Sequence, residues 1–280
     1  MALKKFLLST VLTMLLTMIS ARSFAAEEVR SYFPPVLIYH DVKPRVVIEG
    51  FDVSIEEFRY QLDWLKAHGW RTLSTDEFAG YLERGEAFPK KSVLITFDDD
   101  YGGVIRYAAP ELEARGMNAA FFVIVDSIGE PLSRREYYHA SADELKALAS
   151  NPNFALESHT MSHPEFLTRL SDEELEREVV ESKARIEELS GRSVKLFSYP
   201  CGDYDQRVID AVINAGYSAA VIVDVLDAGE FDRPLRWTIP RINMGVAVGA
   251  EGHKRFKKFM RNYKSMSDEE FEKRWARLPH

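Results

Sequence analysis

The sequence predicts a parallel α/β domain whose sheet is either open or closed into a barrel. Three observations carry that expectation. Short apolar runs alternate with amphipathic segments, Ser-x-x-Glu pairs open the segments, and glycines close them. The runs are Val36–Tyr39, Arg71–Leu73, Val93–Phe97, Ala119–Val125, Ala155–Glu157, Lys195–Tyr199, Ala219–Val223 and Thr238–Ile239. Most are brief, apolar and β-branched or aromatic, as strands covered on both faces are. Ser54, Ser74, Ser141, Ser171 and Ser267 each stand three residues before a glutamate, the spacing of a capping box. Gly69, Gly116, Gly191 and Gly216 follow helix-like stretches and suit left-handed C-terminal caps.

Composition narrows the class. The chain has 280 residues, 46% hydrophobic and 29% charged, which excludes a disordered chain, a collagen and a multi-span membrane protein. Its single cysteine, Cys201, excludes an internal disulfide framework and a cysteine-based metal cluster. A net charge of −8 without a long basic run argues against nucleic acid as a partner.

The first 25 residues read as a secretory signal peptide: Lys4 and Lys5, an uncharged apolar run from Phe6 to Ile19, then Ser23-Phe24-Ala25 before the cut. That run is shorter than the ~20 residues a span needs, so no membrane span is expected after cleavage. The leader holds Lys4, Lys5 and Arg22 and no acid, so the remainder carries 33 basic against 44 acidic residues, net −11. The expectation is an exported protein, periplasmic or secreted. At the other end, His253 to Lys264 places Phe256, Phe259, Met260 and Tyr263 at helical spacing among six Lys or Arg. A terminal helix docking its aromatics explains that pattern, with its lysines in solvent.

Chemistry concentrates at two strand ends. Asp98-Asp99-Asp100 follows Val93–Phe97, and Gly102-Gly103 comes close behind. Ser158-His159-Thr160-Met161-Ser162-His163 follows Ala155–Glu157. In a parallel α/β fold the C-terminal strand ends form the functional mouth. Histidines four apart share a face if the segment turns helically, so both can reach one metal ion. Two histidines and an aspartate leave coordination positions open for water and substrate, the catalytic pattern.

Thr96-Phe97-Asp98-Asp99 with Ser158-His159-Thr160-x-x-His163 resembles the polysaccharide deacetylase family, the carbohydrate esterases of NodB-homology type. The resemblance covers Pro35 to Met244 and implies a distorted, incomplete (β/α) barrel. It implies a catalytic domain over 26–245, after the signal peptide at 1–25 and before a C-terminal helical extension at 246–280. It further implies removal of N- or O-acetyl groups from a sugar polymer with a divalent metal, zinc as the expected ion. On that resemblance Asp98 is the general base, and Asp99, His159 and His163 are the metal ligands. Asp100 stands where the family often has Gly and receives no role.

The family's Arg-x-Pro-Tyr-Gly motif falls on Ser198-Tyr199-Pro200-Cys201-Gly202, so its Arg is Ser198 and its aromatic is Cys201. An oxyanion donor from the backbone N–H of Cys201 survives the change. Arg241, after the last strand, offers a replacement charge for Asp98. The C-terminal Leu-x-His motif is absent, and His40 in Val36-Leu37-Ile38-Tyr39-His40 offers the general acid instead. That order resembles the circularly permuted branch containing exported poly-β-1,6-N-acetylglucosamine deacetylases. An N-acetylglucosamine polysaccharide is therefore the favoured substrate, with Tyr101, Tyr199 and Tyr204 as sugar-stacking candidates and a secretion complex as a candidate partner. His68, His139, His253 and His280 have no motif context and read as surface residues. The rival readings are a glycan-binding pseudoenzyme, motivated by Ser198 and Cys201, and a metallohydrolase of a non-sugar amide.

Overall fold

Seven of the eight expected runs become strands of one parallel sheet, which curves into an incomplete (β/α) barrel. The computed structural model describes residues 33–131, 137–223, 235–245 and 249–266. The signal peptide, the Ser267 capping box and His280 lie outside the described residues. The strands are β1 (Val36–Tyr39), β4 (Arg71–Thr72), β5 (Ser92–Phe97), β6 (Ala119–Val123), β7 (Phe154–Ser158), β8 (Leu196–Ser198), β9 (Ala219–Val221) and β10 (Ile242–Asn243). Their order is β10-β1-β5-β6-β7-β8-β9, with β4 added to the start of β5. Thr238–Ile239 gives only an isolated bridge between Ile239 and Val221, because Pro240 has no N–H to continue a ladder. Three residues beyond that bridge, Ile242 pairs with Leu37 of β1. Arg241 therefore sits on the seam between the first and last strands.

The helices start where their caps place them. Capping boxes are complete at Ser74 before α2 (Thr75–Arg84), Ser141 before α4 (Ala142–Ser150) and Ser171 before α5 (Asp172–Glu176). At Ser54, before α1 (Ile55–Ala67), only the serine half forms. The Glu57 carboxylate instead accepts the Gly249 amide at 3.1 Å and pairs with His253, both on α8 (Gly249–Met266). Phe256 and Met260 of α8 are buried, and Phe256 meets Trp64 edge-to-face at 5.2 Å. The terminal helix thus docks on α1 as its spacing predicts. No described helix is long and apolar enough to cross a membrane.

Alternation along the strands separates two cores. Val36, Leu94, Ala120, Phe122, Leu196, Ala219 and Val221 pack inside the barrel. Leu37, Tyr39, Ile95, Phe97, Phe121, Leu156 and Phe197 face the helices. The remaining helices are α3 (Ala109–Arg115), preceded by a π-turn over Val104–Ala108, α6 (Ser182–Ser190) and α7 (Gln206–Asn214). Gly102 and Gly103 open the π-turn segment, where a Cβ on Gly103 would stand 2.0 Å from the Asp41 carboxylate. A Cβ on Gly102 would stand 1.9 Å from the Tyr138 ring, and the two contacts account for the glycine pair behind the aspartates.

A second, two-stranded sheet of β2 (Asp41–Lys43) and β3 (Asp52–Ser54) pairs Asp41 with Asp52, both buried. The Lys43 ammonium lies 3.4 Å from Asp41 and 2.7 Å from the Tyr137 ring centre, while the Tyr137 hydroxyl donates to Asp52 at 2.8 Å. Burial pushes the Asp41 carboxyl up to about 7 despite the opposing pull of Lys43. An acid whose folded pKa is raised stabilises the fold below its unfolded pKa, and that stability is lost as pH rises through the folded value. Asp41 is expected to withdraw about 2–3 kcal/mol between pH 5 and 8. Urea unfolding of wild type and Asp41→Asn at both pH values checks this: the variant loses less stability across the interval, and parallel losses refute the assignment.

Candidate active site

The inward alternation continues one step past the strands and selects the site. Beyond Val36 and Ile38 comes His40, beyond Leu94 and Thr96 comes Asp98, beyond Ala155 and Glu157 comes His159, and Leu196 leads to Ser198. The backbone keeps His40 and Asp98 side by side, since Tyr39 pairs with Phe97 and the Asp98 amide donates to the Tyr39 carbonyl at 3.0 Å.

Arg241 enters this ring from the seam. Its guanidinium grips Asp98 with both arms, Nη1 to Oδ1 and Nη2 to Oδ2 at 2.6 Å each, and Nε donates to the Ile222 carbonyl at 2.9 Å. Nη2 also donates to the Ser198 hydroxyl at 2.9 Å, which in turn donates to Asp98 at 3.1 Å. Arg241 is fully buried, and its charge occupies the place expected for it beside the base candidate. Burial alone would raise the Asp98 carboxyl, but Arg241 and then His159 outweigh it and hold the group far below the usual carboxylate range.

One side of Asp98 opens on a three-residue donor set. One ligand atom each from Asp99, His159 and His163 lies within 4.8 Å of the others. Asp99 Oδ1 stands 3.3 Å from His159 Nε2 and 3.7 Å from His163 Nε2, and has no hydrogen-bond partner among the described residues. The His159 Nδ1 donates to the Ser198 carbonyl at 2.9 Å, which turns Nε2 toward the aspartates. Two imidazole nitrogens and a carboxylate at a half-open mouth fit a divalent cation. Burial disfavours the His159 cation, yet Asp98 and Asp99 reverse that and raise its pKa; burial, then His159, lower that of His163.

The histidine segment is not the helical turn that its spacing suggests. Thr160 and His163 take left-handed backbone angles, φ 70° and 56°, and Thr160 Oγ1 accepts the His163 amide at 3.0 Å. Glu178 holds the loop from below: its Oε2 accepts the Met161 and Ser162 amides at 2.9 Å each, and its Oε1 accepts the Ser162 hydroxyl at 2.7 Å. Glu178 lies in a π-turn over Arg177–Glu181 between α5 and α6. Such single wide turns recur beside functional loops. Nothing in the sequence marks that glutamate apart from its neighbours Glu176 and Glu181.

Other expected residues fall differently. His40 stacks on Phe51 with ring centres 4.4 Å apart, and its Nδ1 is buried without a partner among the described residues. Burial lowers its pKa, opposed by Asp98 and Asp99. Tyr199 does not reach the mouth: it is fully buried on the helix-facing side against Phe197, one step out of phase with Ser198, so a sugar cannot stack on it. Cys201 is exposed at φ 53° and does not join the convergent donor set; partial desolvation and then the nearby carboxylates Glu165 and Asp99 raise its pKa, which disfavours a nucleophilic thiolate. His139 is buried beside Asp99 and Asp100 rather than on the surface.

Fold and site together define a (β/α)-barrel protein with a His-His-Asp donor set beside a buried Asp–Arg pair. Residues 85–220 match the polysaccharide deacetylase family. The Bacillus subtilis protein YxkH is 30% identical over 190 residues, covering 68% of this chain and 64% of that one. The poly-beta-1,6-N-acetyl-D-glucosamine N-deacetylase of Staphylococcus aureus is 28% identical over 180 residues, 60% of each chain. The chain thus spans under two thirds of the length of these curated relatives. Among solved structures, the Streptococcus pyogenes deacetylase PplD in complex with acetate aligns with a TM-score of 0.67 at 22% identity, over 80% of this chain and 97% of that one. IcaB from Ammonifex degensii aligns equally well, TM-score 0.67 at 24% identity, over 81% and 96%. By the family match the chain carries a polysaccharide deacetylase domain.

Proposed function

We propose that this protein is an exported, metal-dependent N-deacetylase of an N-acetylated glycan, with poly-N-acetylglucosamine as the favoured substrate. The observation that carries this reading is the convergence of Asp99, His159 and His163 next to an aspartate locked by a buried arginine. The poly-beta-1,6-N-acetyl-D-glucosamine N-deacetylase among its relatives supports the substrate. The N-terminal basic and apolar pattern supports export.

Asp99, His159 and His163 would hold a divalent metal, which would supply a Lewis acid for the acetyl carbonyl and lower the pKa of water toward neutrality. The residues of the chain do the rest. Asp98, kept ionised by Arg241, takes a proton from water as its oxygen adds to the carbonyl carbon. The backbone N–H of Cys201 is the candidate donor to the oxygen that gains charge. His40 gives a proton to the sugar nitrogen as the C–N bond breaks, leaving acetate and a free amine. Burial lowers the His40 pKa against the opposing pull of Asp98 and Asp99, and Phe51 fixes the plane of its ring.

The test is acetate release from β-1,6- and β-1,4-linked N-acetylglucosamine oligomers, before and after chelation, with Asp98→Asn as the blank. Release that chelation abolishes, zinc or cobalt restores and the blank lacks is expected, with faster turnover of the β-1,6 series. Metal binding without acetate from either series would overturn the glycan assignment.

A further inference from the structure

Two consecutive aspartates at the end of β5 adopt left-handed backbone angles, φ 70° at Asp99 and 40° at Asp100. Left-handed angles are strained for residues other than glycine, so the surrounding structure has to impose them. What imposes them is a set of contacts outside the donor set. The Asp100 carboxylate is buried, and its Oδ1 accepts the Ile124 amide at 3.1 Å and the Ser127 hydroxyl at 3.0 Å. Its carbonyl accepts the Ala140 amide at 2.8 Å. The His139 Nδ1 then bridges the two residues, 3.0 Å from the Asp99 carbonyl and 3.4 Å from Asp100 Oδ2. Both neighbours are acceptors, so Nδ1 carries the hydrogen. The imidazole itself is buried and stacks on Tyr101, ring centres 5.3 Å apart.

We infer that His139, clamped by Asp100, is a positioning residue that holds the Asp99 peptide so that the Asp99 carboxylate faces His159 and His163. This rests on the proposed reading of those three residues as a metal centre. The geometry gives the direction of the effect. The Cα–Cβ direction of Asp99 depends on its φ, and among the described residues the one side chain that hydrogen-bonds to the Asp99 carbonyl is His139. Without that donor the strained pair is free to relax toward ordinary angles, which carries Asp99 Oδ1 away from the two imidazoles. Asp100, at a position where glycine would meet φ 40° unaided, is then present for its carboxylate: it ties His139 to the end of β6 through Ile124.

Cobalt(II) binding to the full chain tests this without relying on turnover. Wild type is expected to bind the ion with a visible d–d absorption band. His139→Phe keeps the ring over Tyr101 but has no donor, and is expected to weaken cobalt binding about 10- to 100-fold, the usual cost of losing an outer-shell partner. His139→Asn places an amide N–H near the former Nδ1 and is expected to return affinity to within a few-fold of wild type. A packing role predicts the opposite order, since phenylalanine fills the site better than asparagine. Asp100→Gly relieves the backbone, so it folds, and is expected to weaken cobalt binding nonetheless. Wild-type affinity in His139→Phe, or an Asn variant no better than Phe, overturns the inference while leaving the metal centre intact. If wild type itself binds no cobalt, the metal reading fails first and takes this inference with it.

Discussion

Arg241→Met is expected to lower acetate release by about 10²–10⁴-fold, the range that a misplaced acid–base group costs. It is also expected to reduce stability by about 3–5 kcal/mol, as breaking a buried ion pair from one side does. The two losses share a cause. Asp98 is buried, and of its partners only Arg241 contacts both oxygens. Without the guanidinium the Ser198 hydroxyl is the remaining side-chain donor, and a buried carboxylate so supported takes up a proton. A protonated Asp98 cannot accept one from water. Arg241→Lys should recover part of the stability but little rate, because an ammonium cannot reproduce the two-armed contact. The discriminating variant is Ser198→Arg/Arg241→Ser, which moves the charge to the position that matches the arginine of the Arg-x-Pro-Tyr-Gly motif. Recovery of at least tenfold over Arg241→Met would show that the charge matters more than the seam. Acetate assays and thermal unfolding of the series check all three. Unchanged turnover in Arg241→Met would remove Asp98 from its proposed role.

The missing motif arginine was therefore a useful signal in itself. A buried aspartate at a strand end needs a cation, Ser198 is not one, and Arg241, two residues after the last expected apolar run, stands in the right place along the chain. The same bookkeeping of alternation identifies His40, Asp98 and His159, because a period of two carried past the strand ends points all three inward. It also keeps Tyr199 from the mouth: one step from the inward-facing Ser198, it has to face the helices. Other parts of the site were not legible. Left-handed Thr160 and His163 replace the helical turn that four-residue spacing suggested, and no residue type announces such angles. Glu178 and His139 lie 15 residues after and 40 residues after the segments they brace, counted from His163 and Asp99. Their roles follow from hydrogen bonds that only the folded chain brings together.

Glu178→Ala is expected to weaken metal binding by about 10- to 100-fold and to slow acetate release in step. Besides one from Arg177, three hydrogen bonds from the loop end on this carboxylate, from Met161 N, Ser162 N and Ser162 Oγ, and these three hold the loop between His159 and His163. Removing it leaves two backbone amides unsatisfied next to a loop that keeps Thr160 and His163 at left-handed angles. The loop is then expected to relax, and His163, the more exposed of the two histidines, to leave the donor set first. His159 should stay, because its Nδ1 is tied to the Ser198 carbonyl on another strand. That asymmetry separates local loosening from general unfolding. Cobalt spectra of Glu178→Ala should resemble those of His163→Ala, with weaker and altered bands, and not the silent spectrum expected of His159→Ala. Glu178→Gln keeps an acceptor oxygen for the two amides and should lie within about fivefold of wild type in affinity, since neutral hydrogen bonds replace charge-assisted ones of roughly twice the strength. A Glu178→Ala protein with wild-type cobalt affinity would mean that the loop holds its shape through Thr160 Oγ1 alone.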